Sequence, residues 1–240
     1  MQTTFEAIAP GQVHRWSGAG LVVARRADLH QAPAPPLSPA EQRVLHGLPA
    51  WRRTEWVAGR LLAKRLVGEA VAVPASDVEI LPRADGSPHV VVGGGAMPAV
   101  HVSISHTARH VAAALAPEPV GVDLCETDAA AAVRRAADHV LSPEERSLIG
   151  TDAGAVSPEE RSLIGTDAGA AAVWALKEAA VKADRSGLFG SAPRRIVILG
   201  LRPAVLDGRR RAMVWQAPGA VLALVLASPR TDHRTFRMPS

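Results

Sequence analysis

Apolar and polar residues alternate most sharply near the middle of the chain. Val100, Val102 and Ile104 interleave with His101, Ser103 and Ser105. That period of two predicts a half-buried strand. A short turn after His106 leads to the apolar run Val111 to Ala116, so the pair is expected to form a hairpin. Val120, Val122 and Leu124 predict a further buried strand, with Asp123 and Cys125 together on its opposite face. Leu21 to Ala24, Ile196 to Leu199 and Val221 to Ala227 are apolar runs of strand length.

Helical signals lie between the strands. Ser38-Pro39-Ala40-Glu41 has the order of a capping box, with Ser at N-cap, Pro at N1 and Glu at N3. A second helix is expected from about Ala50 to Val67. A third is expected around Trp174-Ala175-Leu176-Lys177-Glu178-Ala179-Ala180-Val181-Lys182, which no Gly or Pro interrupts. Residues 141–155 and 156–170 differ only at their first position, Leu141 against Val156. Each copy carries Ser-Pro-Glu-Glu, with Ser142 or Ser157 as N-cap and Glu145 or Glu160 at N3, and Gly150 or Gly165 as a stop. Two copies are too few for a solenoid and read as a duplicated loop-and-helix segment. Asp85-Gly86 and Gly93-Gly94-Gly95 mark turns, and the tail from Asp232 is expected to fray.

Composition narrows the classes. At 240 residues, 48% hydrophobic and 21% charged, the chain can bury a substantial core and is not a disordered type. Aromatic residues are 3% with no Tyr, which leaves no stacking platform for single-stranded nucleic acid. The formal charge of +4 suits an anionic ligand or an acidic partner. A single cysteine, Cys125, excludes an internal disulfide and a multi-cysteine zinc site. No signal peptide pattern opens the chain, and no apolar run is long enough to span a bilayer. A cytoplasmic protein acting on neither membrane nor nucleic acid is the expectation.

Three groups of residues carry candidate chemistry. On the Trp174 helix, Lys177 and Glu178 share a face with Trp174 and Val181, where charge is costly unless paired or bound to something. The plain account is a Glu178–Lys182 pair at i,i+4. Asp123 reads equally as a ligand or as a structural carboxylate. Arg52, Arg53, Arg60, Lys64 and Arg65 form either a solvated helix face or a phosphate-holding one, beside Ser103, Ser105 and His106.

Taken in order, Val102-Ser103-Ile104-Ser105-His106, Gly121-Val122-Asp123 and Trp174-Ala175-Leu176-Lys177-Glu178 with Lys182 resemble the 4′-phosphopantetheinyl transferases. The likeness is to the larger, monomeric class, the surfactin-synthetase-activating type. The helix from Arg53 to Lys64 and the turn Arg83 to Pro88 also resemble family segments, and the likeness runs from about Leu37 to Phe189. It implies an α+β fold of two similar pseudo-symmetric halves, residues 1–118 and 119–240, with a coenzyme A cleft between them and the metal site in the second. It implies Mg²⁺-dependent transfer of phosphopantetheine from coenzyme A to a serine of an acyl, polyketide or peptidyl carrier protein, releasing 3′,5′-ADP. Secondary-metabolite biosynthesis is a plausible setting. By the same likeness, Asp123 and Glu178 hold the metal. Arg53, Arg83, Ser103, Ser105, His106, Lys177 and Lys182 bind coenzyme A. Lys182 also meets a reacting phosphate, and Glu145 or Glu160 takes the serine proton. Three features depart from the family pattern. Cys125 stands where many relatives have a further carboxylate, Ser87 replaces a turn lysine, and the duplication supplies two candidate bases. The alternative reading is a homologue that binds coenzyme A without transfer.

Overall fold

The computed structural model describes residues 5–29, 36–136, 141, 145, 165–185 and 193–227. Ser142, Ser157, Glu160, Gly150 and the tail from Asp232 lie outside these residues. Two antiparallel-rich sheets stack face to face, each covered on its outer side by one long helix. The first sheet has the order β2 (Val13–Trp16), β3 (Ala19–Arg25), β8 (His110–Ala116), β7 (His101–His106). The second has the order β1 (Glu6–Ala7), β12 (Arg210–Ala217), β13 (Ala220–Ala227), β9 (Val120–Glu126). Helix α3 (Ala50–Val71) covers the first and α5 (Asp167–Asp184) the second. Smaller sheets flank them: β4 (Val78–Pro82), β5 (Pro88–Val92) and β6 (Gly95–Ala96) in one, β10 (Ile198–Leu201) and β11 (Ala204–Leu206) in the other. Short helices α1 (Arg26–Leu29), α2 (Pro39–His46) and α4 (Ala130–Arg135) complete the described α-helices. No described helix is long and apolar enough to cross a membrane.

Strand period explains the layering. In β13, Val221, Ala223, Val225 and Ala227 meet α5, while Ala220, Leu222, Leu224 and Leu226 meet the first sheet. Both faces are buried, which is why the strand reads as one apolar run. β9 divides likewise. Val120, Val122 and Leu124 enter the core between the sheets and Cys125 enters the α5 core, as the alternation predicts. The N-terminal residues cross the division expected at 118: β1 pairs with β12, and Phe5 lies in the α5 core.

Element order repeats in the two halves. β3, helices, the β4–β5 hairpin, β7 and β8 are followed by β9, helices, the β10–β11 hairpin, β12 and β13. Within the sheets the corresponding orders are β3-β8-β7 and β9-β13-β12.

Helix ends follow the sequence signals with two extensions. The α2 capping box is present: Glu41 N donates to Ser38 Oγ at 3.1 Å and Ser38 N to Glu41 Oε2 at 2.9 Å. α3 runs past the expected stop at Val67 to Val71, where Ala72 caps it in the left-handed conformation, and Gly68 lets the following chain fold back so that Val73 O lies where a Cβ would be 2.8 Å away. α5 begins at Asp167, with Thr166 Oγ1 accepting from Gly169 N, so the end of the second repeat copy is its first turn.

Beneath α3, Glu41 and Lys64 form a fully buried ion pair at 2.8 Å. Lys64 also donates to Pro36 O, and Glu41 Oε1 accepts from Ile80 N at 2.9 Å. Removing one partner strands the other charge in the core. Glu41→Gln is expected to lower unfolding free energy by about 3–5 kcal/mol. Urea denaturation at neutral pH reads it, and an unchanged midpoint would show that the pair contributes nothing.

Candidate active site

Gly121 sets the position of the site. A Cβ there would lie 1.8 Å from Ala179 O and 2.7 Å from Ala183 N. Its absence lets α5 lie directly on β9. Lys182 Nζ thereby reaches Val122 O at 3.1 Å and Asp123 Oδ1 at 2.6 Å. Lys182 therefore pairs with a residue from another element, and the local Glu178–Lys182 account is not needed.

β7 lies beside β9 in the same direction, but serine side chains replace the usual ladder between them. Val122 N donates to Ser103 Oγ at 3.0 Å and Leu124 N to Ser105 Oγ at 3.1 Å. Ser105 Oγ in turn donates to Asp123 Oδ1 at 2.7 Å. Both serines are buried. Their polar face thus joins the two sheets and fixes Asp123.

Asp123 Oδ2 is buried with no hydrogen-bond partner. Beside it, burial and then the Asp123 charge push Glu178 up from 4.5 to about 7, with Lys182 opposing. An unsatisfied carboxylate oxygen next to a second, repelled carboxylate is the donor set that a hard divalent cation relieves, and such a cation needs few protein ligands. Among the described residues no cluster of three metal-ligating side chains occurs. Cys125 faces the α5 core, and burial followed by the charges of Asp123, Glu126 and Asp128 pushes its thiol up to about 12. Glu126 is engaged elsewhere. Burial pushes it up, but hydrogen bonds from Thr107, His110 and Arg109 outweigh this and hold it below its ordinary value.

The titration of Glu178 has a measurable consequence. Folded Glu178 binds its proton below about 7, and the unfolded residue does so only below about 4.5. Between these values the folded state holds the extra proton, so stability falls as pH rises through that interval. The metal-free protein is expected to show this fall in thermal unfolding, and Glu178→Gln to lack it.

A mixed cluster stands at the end of β7, where Arg26 Nη1 pairs with Glu55 Oε1 at 3.4 Å. His106 is partly exposed, with Nδ1 3.6 Å from Glu55 Oε2. Burial pushes its pKa down, Glu55 opposes, and Lys182, Arg26 and Arg52 add to the lowering. Arg26 and Glu55 carry no motif or spacing that marks them in the sequence. Chain folding brings them in through the end of β3 and the start of α3.

Other residues singled out in the sequence lie elsewhere. Arg53 is exposed and donates to His46 O and Leu48 O. Arg83 donates to Pro88 O, and burial followed by the charge of Arg185 lowers its pKa. Lys177 is fully buried on the other side of α5. It donates to Ile196 O at 2.7 Å and Pro193 O at 3.2 Å and pairs with Glu145 at 2.6 Å. Burial lowers its pKa and Glu145 raises it in opposition. Glu145 Oε1 accepts from Ile198 N at 2.7 Å.

Residues 119–202, which hold Asp123, Lys177, Glu178 and Lys182, match the 4′-phosphopantetheinyl transferase superfamily. The chain is 35% identical over 82 residues to a holo-[acyl-carrier-protein] synthase of Oceanobacillus iheyensis, covering 32% of this chain and 69% of that protein. It is 43% identical over 68 residues to the Listeria monocytogenes synthase, covering 26% of this chain and 58% of that one. The crystal structure of a holo-(acyl-carrier-protein) synthase from Bacillus anthracis in complex with CoA (3′,5′-ADP) aligns at 27% identity and a TM-score of 0.34, over 41% of this chain and 92% of that one. The shared segment carries the residues of the α5–β9 groove, and the chain belongs to the 4′-phosphopantetheinyl transferase superfamily.

Proposed function

We propose that this protein is a phosphopantetheinyl transferase of the larger, surfactin-synthetase-activating class, acting as a monomer with its two halves divided near residue 118. It moves 4′-phosphopantetheine from coenzyme A to a carrier-protein serine. The serine oxygen attacks the phosphorus that bears the pantetheine arm, and its proton is lost to the surrounding water. The bond from that phosphorus to the bridging pyrophosphate oxygen breaks, and 3′,5′-ADP leaves. The observation that carries this reading is the pair Asp123–Glu178, with one Asp123 oxygen unpartnered and Lys182 on the other. The repeated order of elements supports the two-half reading, and the length of the chain relative to its synthase relatives supports the larger class.

Each side chain has a task in this reaction. Asp123 and Glu178 would hold Mg²⁺, which neutralises pyrophosphate charge when bound. Lys182, anchored on Asp123, offers its ammonium to a phosphate oxygen at the reacting end. His106, Arg26 and Arg52 would hold the more distant phosphate of the coenzyme. Ser103 and Ser105 act through Asp123 and β9 rather than by touching the coenzyme. The net positive charge of the chain favours an acidic carrier surface.

Incubation with coenzyme A, Mg²⁺ and an apo-carrier tests the proposal. A phosphopantetheine adduct on the carrier serine, seen by mass spectrometry with release of 3′,5′-ADP, is the expected result. Coenzyme binding with no adduct would favour a binding protein without transfer, the reading motivated by Cys125 in place of a carboxylate and by the duplicated segment.

A further inference from the structure

Glu145 and Lys177 have a counterpart in the other half of the molecule. Glu41 and Glu145 each follow Ser-Pro at the third position of a helix-start motif. Each places Oε2 on a buried lysine, at 2.8 Å on Lys64 and 2.6 Å on Lys177. Each turns Oε1 to the backbone N–H of an isoleucine in the next hairpin, at 2.9 Å for Ile80 and 2.7 Å for Ile198. Each lysine adds a backbone carbonyl of a preceding or following loop.

The first half has this device without the metal carboxylates. Counting from the strand glycine, Val22 in Gly20-Leu21-Val22 stands where Asp123 stands in Gly121-Val122-Asp123. Counting from the buried lysine, Arg65 stands for Glu178 and Glu69 for Lys182. Val22, Arg65 and Glu69 line one cavity of about 290 Å³ together with Leu62 and Leu66. The three residues thus share one cavity, while their chemistry differs from that of their counterparts. Asp28 and Glu69 also line that cavity, but neither occupies a position equivalent to Asp123 or Glu178, so a Glu–Lys pair that recurs without carboxylates at those two positions belongs to the scaffold.

We propose that Glu145 and Lys177 form a positioning pin, which locks the rotation of α5 and the β10 hairpin so that Glu178 meets Asp123 across the groove. Glu145 has both oxygens engaged and only 4% of its surface exposed, so it is not placed to receive a proton from a carrier serine. Lys177 and Glu178 are adjacent on α5 and about 100° apart around its axis. Fixing the first on the hairpin side therefore fixes the second on the groove side. This inference rests on the metal-binding role proposed above.

Calorimetric titration of Mg²⁺ into the coenzyme A-loaded protein tests the pin apart from catalysis. Glu145→Gln and Lys177→Met are each expected to weaken Mg²⁺ binding about tenfold, as loss of an outer orienting partner does. The double variant is expected to be no weaker than either single one, because one pair is lost in every case. In transfer assays Glu145→Gln should regain most of its rate at high Mg²⁺ and keep the acidic limb of the pH–rate profile. Unchanged Mg²⁺ affinity overturns the proposal, and so does a lost acidic limb with a rate that Mg²⁺ does not restore. Glu41→Gln serves as the comparator, since it removes an equivalent buried pair with no expected change in Mg²⁺ affinity. Should Glu145→Gln fail to fold, Glu145→Asp keeps the charge at shorter reach and is read the same way. A wild-type protein that binds Mg²⁺ yet loads no carrier would count against the transferase reading and leave the pin to the calorimetry.

Discussion

Asp123→Ala is expected to abolish carrier loading while the protein stays folded. Removing one of the two carboxylates proposed to hold the metal forfeits several kcal/mol of charge stabilisation, a rate loss of about 10³-fold or more. Ser105 Oγ and Lys182 Nζ both lose Asp123 Oδ1 as acceptor, so stability should fall by about 1–3 kcal/mol, and three local features keep the loss from being larger. Asp123 Oδ2 has no partner to lose. Ser105 Oγ keeps its bond from Leu124 N, and Lys182 keeps Val122 O. The neighbouring Glu178 is also relieved of a repelling charge. Loading rate by mass spectrometry and thermal unfolding of the same sample check both halves of the statement. A rate within tenfold of wild type would remove Asp123 from the chemistry.

Gly121→Ala is expected to damage stability and activity together. The added methyl group would sit 1.8 Å from the Ala179 carbonyl oxygen and 2.7 Å from Ala183 N. Both are backbone atoms of α5, so no rotamer change can make room. The helix has to move away from β9, which opens the α5 core and draws Lys182 and Glu178 off Asp123. Overpacking of this kind costs about 1–3 kcal/mol or more. Activity should fall further than stability alone accounts for, because a displacement near 1 Å at reacting groups costs on the order of 10²-fold. Urea unfolding and Mg²⁺ titration of the variant provide the readouts. Wild-type values in both would mean that the close helix–strand approach is not required.

Much of the local architecture was legible in the chain. The capping box at Ser38 and Glu41 formed as its spacing indicates, because cap chemistry involves residues three positions apart. The two faces of β9 separated as alternation required, with Leu124 between the sheets and Cys125 toward α5. The serines of β7 were less legible. Their polar face suggested contact with phosphate, yet both hydroxyls serve the backbone of β9. Alternation identifies a polar face but cannot say whether solvent, ligand or another strand will satisfy it. Lys177 and Glu178 illustrate the same limit. They are neighbours in one motif, but the first is fully buried against the hairpin and the second opens on the groove.

Sequence therefore specified the elements, the strand faces and the residue types able to bind a metal and phosphates, since these depend on contacts within a few residues. Folding assigned the partners. Asp123 and Lys182 are 59 positions apart and meet at 2.6 Å, while Arg26, Glu55 and His106 arrive from three separate elements. Long-range pairing depends on how layers stack and how closely a helix can approach a strand, and at Gly121 that distance was set by the absence of a single carbon atom.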